Sequence, residues 1–419
     1  MLYKKKPKKL LMIAYYFPPL GGSGALRPFK LAKYLPDFGW NPIVLTVKNP
    51  DWYYAYDPSL LQELPPEVEV VKDFMLRSAW IYRILNPLRI QKFDTVLRRH
   101  FIQPDDQMGW IPFGYLRAIK LLNIHSVKII YSTSAPLSCH LIAYLIKKKT
   151  GIPWIADFRD EWFENPEFNF PTIFHRKLHY KLENLIVNSC DKVITAAPIF
   201  GQLLAKHTID RKKILTITMG FDLDDFPKRE NKRKKRFVLA FSGLFYGSFR
   251  PNNFLKAVEE LIAEKKISPE KIKVMFIGAN TESDTNFTDT HGICEFKGFV
   301  THKKSLQYLS EADALLLLLS KERGENVIPS KTFEYMASKK PILAIVPSEG
   351  KVAKIIRKSN TGIIADFDNI KEIKTAYYQL YCQWKNKKVE FYPIRKEVCK
   401  FDQRRLTKKF ASLIDELIY

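Results

Sequence analysis

Two successive series of short apolar runs, each alternating with amphipathic stretches, constrain the fold of this 419-residue chain more than any other feature. Near-continuous apolar strands separated by helices are typical of parallel sheets that helices cover on both faces. In the first series, strands are predicted at residues 10–15, 42–47, 127–131, 154–157 and 192–195, with helices at about 24–35 and 136–149. The first half is therefore expected to be an α/β unit.

The second series repeats this pattern after residue 236, with strands predicted at 237–242, 273–277, 293–296, 314–319, 341–346 and 362–364. A chain of this length is expected to form two domains of about 200 residues. We expect two Rossmann-like domains that face a cleft. The predicted ranges are an N-terminal domain over 1–210, a basic linker over 211–236, a C-terminal domain over 237–400, and a terminal helix over 401–419 that packs back on the N-terminal domain.

The chain is strongly basic, with 68 Lys and Arg against 44 Asp and Glu and a net charge of +24. Such a charge favours anionic partners, namely nucleic acid, anionic lipid or a phosphorylated small molecule. A non-enzymatic nucleic-acid-binding protein is a remote alternative, supported by the basic run at 228–236. Because the chain has no recognisable nucleic-acid module and its cations are dispersed, nucleic acid is not an expected partner.

Cysteine spacing and hydropathy both indicate a cytoplasmic protein. The five cysteines lack CxxC spacing, so neither a zinc site nor a disulfide framework is predicted and a reducing cytosol is expected: Cys139, Cys190, Cys294, Cys382 and Cys399. The Lys-rich start precedes an apolar run that is short and has no small-residue cleavage site, which favours a first strand over a signal peptide. No apolar stretch reaches the roughly 18–20 residues of a membrane span.

An irregular segment over residues 80–101 mixes apolar anchors with arginines. This composition fits an interfacial helix on anionic lipid. It also fits an ordinary helix packed on the sheet with solvated arginines, and both alternatives stay open. A membrane contact, if made, would be peripheral and on the inner face of the cytoplasmic membrane.

Doubly wound sheets bind ligands beyond the carboxyl ends of their strands, so the loops that follow the strands hold the candidate residues. Gly21 and Gly22 follow the first strand and form either a structural turn or a surface that lets a charged ligand approach the backbone. Asp157, Arg159 and Asp160 follow a later strand and form either an ion-pair cluster or a site for a hydroxyl-rich substrate.

His140 begins a helical apolar run after the polar stretch at 132–136. It is either a satisfied interior histidine or a substrate contact.

The second half has its own candidates at two strand ends. Gly243 and Arg250 follow the strand at 237–242, where the arginine either neutralises a diphosphate or is one more surface cation. Ser330 begins a predicted helix that has Lys331 in its first turn and Glu334 on the same face. A lysine at a helix N-terminus balances phosphate charge, and a carboxylate accepts two hydrogen bonds from sugar hydroxyls. This pair suits a nucleoside diphosphate with its ribose.

Five stretches together resemble glycosyltransferase family 4, whose members are retaining, nucleotide-sugar-dependent enzymes with the two-domain GT-B fold. These stretches are LLMIAYYFPPLGGSGALRPFKLAKYLPDFGWNPIVLT, IADFRDEW, ITMGFDLDDF, CEFKGFV and IPSKTFEYMASKKPILAIV. They occur in order along nearly the whole chain, and the resemblance is weakest across residues 52–125.

The resemblance implies that the N-terminal domain binds the acceptor and the C-terminal domain binds the nucleotide-sugar. It implies transfer of a hexosyl or N-acetylhexosaminyl group from a UDP- or GDP-linked donor to a hydroxyl of a glycan or polyprenyl-diphosphate-linked acceptor. The family's usual place in bacterial surface polysaccharide synthesis suggests capsule, O-antigen of lipopolysaccharide, or exopolysaccharide. Neither a cofactor nor a metal is expected. A nucleotide-sugar epimerase of the same fold is the alternative enzyme.

The resemblance also assigns roles to residues of the C-terminal domain. Glu334 matches the second glutamate of the family's Glu-x7-Glu motif, which grips ribose hydroxyls. The first glutamate is replaced by Asn326, and Glu325 lies one residue out of register, so the donor-sugar contact falls to Asn326, to Glu325 or to backbone amides. Arg250 and Lys331 are expected to stabilise charge on the leaving diphosphate.

In the N-terminal domain, the acceptor hydroxyl is expected near the loops at 157–160 and 21–24, with Asp157, Arg159 and Asp160 as catalytic candidates and His140 as an acceptor contact. The loop with Gly21 and Gly22 is expected to close over the donor phosphates.

Overall fold

A computed structural model describes residues 7–48, 50, 55–78, 100–165, 170–227, 235–245, 250–278, 288–319, 325–388 and 391–419. The chain forms two units, which we call the N-terminal unit (Met1–Thr218 with Arg404–Tyr419) and the C-terminal unit (Met219–Gln403). The predicted linker at 211–236 falls partly in each unit. Two predicted features lie outside the described residues, namely most of the basic run at 228–236 and nearly all of the aromatic and arginine-rich segment at 80–101.

The N-terminal unit is built on a seven-stranded parallel sheet with the order β3-β2-β1-β4-β5-β6-β7. Its strands are β1 Lys8–Ile13, β2 Trp40–Val47, β3 Glu69–Asp73, β4 Val127–Ser134, β5 Trp154–Phe158, β6 Lys192–Thr195 and β7 Ile214–Thr216. The α-helices described up to residue 204 are α1 Ser23–Tyr34, α2 Ile111–Ile124, α3 Ser138–Thr150, α4 Ile173–Ser189 and α5 Pro198–Leu204.

The C-terminal unit is built on a six-stranded parallel sheet with the order β10-β9-β8-β11-β12-β13. Its strands are β8 Phe237–Ser242, β9 Ile272–Ile277, β10 Cys294–Phe296, β11 Ala314–Leu318, β12 Ile342–Ile345 and β13 Gly362–Ala365. Its helices are α6 Asn252–Ala263, α7 His302–Glu311, α8 Ser330–Ala337, α9 Lys351–Ser359, α10 Ile370–Lys385 and α11 Arg395–Val398. The last helix, α12 Gln403–Ile418, returns to the N-terminal unit.

Short 3-10 helices complete the described secondary structure. They are Leu35–Phe38, Pro58–Glu63, Met108–Trp110, Ala205–His207, Arg211–Lys213, Leu223–Asp225, Pro269–Lys271 and Cys399–Phe401.

The continuous apolar runs follow from burial on both faces of each sheet. In β1, Leu11 and Ile13 join one hydrophobic cluster, whereas Leu10 and Met12 join the cluster on the opposite face. Helices exclude water from both faces of the sheet. Both faces of such a strand therefore carry apolar residues, and apolar and polar residues do not alternate along it. The predicted α/β fold with two Rossmann-like domains is confirmed.

The terminal helix α12 packs on the N-terminal unit through its apolar face. The Phe410 ring lies 5.2 Å from the Tyr131 ring, centroid to centroid. The Asp415 carboxylate accepts a hydrogen bond of 2.8 Å from Lys8 Nζ at the start of β1. These contacts join the chain's last helix to its first strand.

The strand order of each sheet reverses at its first strand. In the N-terminal unit β1 lies between β2 and β4, and in the C-terminal unit β8 lies between β9 and β11. Ligands of doubly wound sheets bind outside the carboxyl ends of strands at such a reversal. Among the described helices, none is both long and apolar enough to cross a bilayer.

Candidate functional site

In the C-terminal unit, the residue after β8 lies directly against the first turn of α8. Gly243 has a φ of +142°, and a Cβ atom at this position would collide with the Nζ atom of Lys331. Its N–H donates a hydrogen bond of 2.8 Å to the carbonyl of Ile277 at the end of β9. Only glycine combines this backbone conformation with space for the ammonium group.

Lys331 is a half-buried cation whose charge the surrounding protein disfavours. Its Nζ atom lies 4.2 Å from the centroid of the Phe241 ring. Desolvation lowers the pKa of Lys331 to about 8, and the nearby charge of Glu334 opposes that shift. Burial destabilises an ammonium ion, whereas the face of an aromatic ring attracts it.

Glu334 lies one turn further along α8 and presents one carboxylate oxygen. Its Oε1 atom accepts a hydrogen bond of 2.9 Å from His302 Nε2 at the start of α7. The His302 Nδ1 atom lies 3.8 Å from Asp225 Oδ2. Within the described part of the chain, Glu334 Oε2 accepts no hydrogen bond. This oxygen is therefore available to hydroxyl donors of a ligand.

Two hydrogen bonds tie the strand end to the neighbouring helices. The Ser242 N–H donates to the Tyr335 hydroxyl at 2.8 Å, and the Ser242 and Ser305 hydroxyls lie 2.9 Å apart. They connect β8 with α8 and α7, on which Glu334 and His302 lie. The strand end and the two helix starts form one packed group, which we call the donor cluster: Ser242, Gly243, His302, Lys331 and Glu334.

Three further predicted site residues belong to the same unit. Ser330 is the first residue of α8 and is half-buried. Asn326 is exposed, and the carbonyl of its neighbour Glu325 accepts a 2.9 Å hydrogen bond from the Lys351 N–H at the start of α9. Arg250 is half-buried two residues before α6. Both Arg250 and Asn326 border segments outside the described residues, and their donor contacts stay predictions.

In the N-terminal unit, Asp157 is the centre of a buried ion-pair cluster. Both of its oxygens accept hydrogen bonds of 2.8 Å from Arg27, and Oδ2 also accepts from Tyr131 at 2.6 Å and Thr133 at 3.0 Å. Burial favours a higher pKa for Asp157, but the Arg27 charge and these hydrogen bonds outweigh burial and lower the pKa. With both oxygens engaged, the geometry favours the ion-pair alternative over direct contact with a substrate hydroxyl.

Arg159 connects the glycine loop to the end of β4. Its guanidinium donates hydrogen bonds to the backbone carbonyls of Gly24, Ser134 and Ala135. The guanidinium carbon also lies 5.9 Å from the centroid of the Tyr16 ring. The structure thus gives Arg159 a positioning role, and its contact with a substrate stays a prediction.

The other residues of these two loops differ in exposure, and Gly21 is buried. Gly22, with a φ of +77°, is the N-cap of α1, and the Gly21 N–H donates to the Ala55 carbonyl at 2.9 Å. Asp160 is exposed and its side chain has no contact within the described part of the chain.

His140 is a neutral histidine inside the N-terminal unit. Its Nδ1 atom lies 2.8 Å from the Ser132 hydroxyl, which also accepts a 2.8 Å hydrogen bond from the Trp154 indole. Burial lowers the pKa of His140 to about 3. Its Nε2 atom is buried and has no hydrogen-bond partner in the described structure. This position matches the interior-histidine alternative, and a contact between His140 and the acceptor stays a prediction.

Arg27, His302 and Asp225 are among the residues of these clusters that were not predicted from the sequence. Arg27 lies among the buried apolar residues of α1, which is an unusual position for a cation and was the available signal. His302 and Asp225 carry no comparable signal, because each lies in a polar stretch and meets Glu334 only through the fold. No group of His, Cys, Asp or Glu side chains in the described ranges could hold a metal ion.

The C-terminal half of the chain matches a family model. Residues 236–383 match the model described as Glycosyl transferases group 1. No curated protein is significantly similar to the chain in sequence.

Solved structures match the whole chain in fold. Sucrose-phosphate synthase from Thermosynechococcus elongatus superposes with a TM-score of 0.66 at 13% identity, over 98% of this chain and 99% of that chain. A glycosyltransferase from Rickettsia africae has a TM-score of 0.65 at 14% identity, over 98% of both chains. Anabaena HepE in complex with UDP and glucose has a TM-score of 0.64 at 12% identity, over 98% of this chain and 100% of that chain.

At these identities the superpositions establish the fold, and the match over 236–383 supports glycosyltransferase activity. The GT-B fold expected from the sequence is therefore confirmed, and the match of residues 236–383 to the glycosyl transferases group 1 model supports the resemblance stated from the sequence.

Proposed function

We propose that the protein is a retaining glycosyltransferase that moves a hexosyl or N-acetylhexosaminyl group from a UDP- or GDP-linked donor to a hydroxyl. The observation that carries this proposal is the donor cluster, in which a desolvated ammonium and an available carboxylate oxygen lie one helical turn apart. A diphosphate carries the negative charge that the ammonium attracts, and the ribose beside it carries hydroxyls that can donate to the carboxylate oxygen. Retention at the anomeric carbon rests on the family resemblance.

Departure of the nucleoside diphosphate develops negative charge on the leaving oxygen, and stabilising that charge is the main physical demand of the reaction. Lys331 and the N-terminus of α8 supply positive potential at one place, and Arg250 is a further candidate for this task. The structure holds Lys331 against Gly243 and Phe241 before any ligand binds. Its cation therefore needs little reorganisation when charge develops.

We further propose that the acceptor is a glycan or a polyprenyl-diphosphate-linked sugar of bacterial surface polysaccharide synthesis, used at the inner face of the cytoplasmic membrane. The support is the exposed face of α2, where Phe113, Leu116 and Ile124 are exposed beside Arg117 and Lys120. Apolar side chains flanked by cations suit the headgroup region of an anionic bilayer. A peripheral position there would bring the enzyme to a lipid-linked acceptor.

A nucleotide-sugar screen tests the donor part of the proposal. Purified protein is first tested for thermal stabilisation by UDP, GDP and their common sugar derivatives, because a ligand that binds only the folded state raises apparent stability by mass action. The sugar that stabilises it is then incubated with a polyprenyl-diphosphate-linked acceptor, and the anomeric configuration of the product is determined by NMR.

The expected result is a transfer product with the donor's anomeric configuration, and a loss of stabilisation by UDP or GDP in Glu334→Ala. An inverted product would overturn retention. Conversion of the nucleotide-sugar without any acceptor would indicate an epimerase of the same fold instead. No stabilisation by either nucleotide would contradict the assignment of the donor cluster.

A further inference from the structure

We propose that His302 positions Glu334 for the ribose of the nucleotide and thereby sets the preference of the site for ribose over 2'-deoxyribose. The inference rests on the proposed function, because it assumes that Glu334 receives the ribose hydroxyls. His302 is a positioning residue in this proposal, since it acts through Glu334 and does not itself contact the ligand.

Three side chains on three elements form a chain of contacts in the C-terminal unit. His302 Nε2 is 2.9 Å from Glu334 Oε1, and His302 Nδ1 is 3.8 Å from Asp225 Oδ2. The side chains of Asp225, His302 and Glu334 are only 7%, 16% and 18% exposed. Water therefore has limited access to these contacts, and each contact is stronger than at an open surface.

Two neighbouring groups constrain His302, one at its backbone and one at its ring. It is the first residue of α7, and the N-cap residue Thr301 accepts a hydrogen bond from the Lys304 N–H through its side chain. Asp225 closes the short 3-10 helix Leu223–Asp225 and faces the other ring nitrogen. The helix start thus fixes the backbone of His302, and the Asp225 carboxylate lies within ion-pair distance of its second ring nitrogen.

A free glutamate side chain samples several rotamers, and ordering it at the moment of binding costs free energy. The hydrogen bond from His302 removes that freedom by holding Oε1, while Oε2 stays open to the ligand. A carboxylate fixed in this way discriminates by geometry, because a ribose hydroxyl that is absent leaves Oε2 without its donor. Loss of such a hydrogen bond to a charged group weakens binding by about tenfold or more.

The test compares the dissociation constants of UDP and 2'-deoxy-UDP, and of GDP and 2'-deoxy-GDP, by calorimetry on the full-length chain. We expect the wild type to bind the ribonucleotide about tenfold more tightly. We expect His302→Ala to reduce this ratio to about twofold or less by the same reasoning. The double variant His302→Ala with Glu334→Ala should discriminate no less than Glu334→Ala alone, since both substitutions disrupt the same interaction with the ribose.

Two variants keep the test valid if alanine perturbs the fold. Glutamine at this position, His302→Gln, can place an amide N–H near Glu334 and should restore the ratio, whereas the shorter His302→Asn should not. The matched control is Lys303→Ala, which removes a charge from the adjacent exposed residue and should leave the ratio unchanged. Thermal unfolding of each variant reports whether it is folded.

The outcomes separate this inference from the proposed function. If the wild type prefers the ribonucleotide and Glu334→Ala loses that preference while His302→Ala and His302→Asn keep it, the role of His302 is overturned and the donor site stands. If the wild type binds neither UDP nor GDP, or if Glu334→Ala discriminates as the wild type does, the assignment of Glu334 fails instead.

Discussion

The ammonium nitrogen of Lys331 lies 4.2 Å from the centre of the Phe241 ring, in a place that exists only because residue 243 has no side chain. Strand β8 supplies the ring, the turn after it supplies the space, and the first turn of α8 supplies the cation. Desolvation has already lowered the pKa of Lys331 to about 8. The cation is therefore sensitive both to pH and to any side chain at position 243.

We expect the affinity for UDP or GDP to fall as pH rises through about 8, the pKa of Lys331. Below that pH the ammonium is charged and attracts the diphosphate, and above it the neutral amine does not. The terminal phosphate, with its second pKa near 6, is fully ionised over this range and adds no opposing trend. Calorimetry between pH 7 and 9.5 should show about a tenfold loss.

The variant Lys331→Met provides the control for this pH dependence. It should bind the nucleotide weakly, with an affinity that hardly changes between pH 7 and 9.5. A pH dependence that persists in Lys331→Met would assign the titration to another group.

The second prediction concerns Gly243→Ala, which should displace Lys331 and weaken nucleotide binding. A Cβ atom at 243 collides with Nζ, and the φ of +142° disfavours any side chain. Gly292→Ala is a matched control, because its φ is +62° and no atom lies within 4 Å of the new Cβ. Both variants should lose about 1–2 kcal/mol of stability. Only Gly243→Ala should also lose affinity for UDP or GDP, and equal affinities in the two variants would contradict the prediction.

Strand bounds could be predicted where a short run of apolar residues was the dominant signal in the sequence. The strands Lys192–Thr195 and Phe237–Ser242 have the predicted bounds, because a short apolar run buried on both faces leaves little freedom in its ends. Helix α4 (Ile173–Ser189) was missed, since three of its five buried residues are polar, namely His175, His179 and Glu183. A hydrophobic period cannot reveal a helix whose buried positions are polar.

The site was predictable only where its partners are close in sequence. Lys331 and Glu334 are three residues apart on one helix, and the spacing alone placed them on one face. Arg27 and Asp157 are 130 residues apart, and His302 and Glu334 are 32 apart. Arg27 lies on α1 and Asp157 on β5, and His302 and Glu334 lie near the starts of α7 and α8. Each pair meets only through the packing of separate elements, for which the sequence carries no register.

The third prediction concerns the buried ion pair, where Arg27→Met should cost about 3–5 kcal/mol of stability. The variant leaves the Asp157 carboxylate buried without its cation. The double variant Arg27→Met with Asp157→Leu should recover much of this loss, since it removes the uncompensated charge. Urea denaturation measures both. A double variant less stable than the single one would show that the pair contributes more than charge compensation.

The pH dependence of the same variant has a defined sign. In the wild type the pKa of Asp157 is lowered, so its stabilisation is present above the unfolded value near 3.9 and is lost as pH falls through the folded value. Without Arg27, the charge that lowers the pKa of Asp157 is gone, and burial then favours the protonated form of this carboxyl group. The deficit of Arg27→Met relative to the wild type should therefore be largest near pH 7 and shrink as pH falls towards 4.

The last prediction tests the membrane face of α2 by vesicle sedimentation. Leu116 is 58% exposed beside Arg117 and Lys120, and Leu116→Asp places a carboxylate where the acyl boundary would lie. Binding to vesicles of phosphatidylglycerol should fall by about tenfold, because both apolar burial and electrostatic attraction to the anionic surface decrease. Ile209→Asp is the matched control, since Ile209 is fully exposed two residues before Arg211 but lies in the loop after the 3-10 helix Ala205–His207. Equal losses in both variants would show that net charge, and not the α2 face, governs vesicle binding.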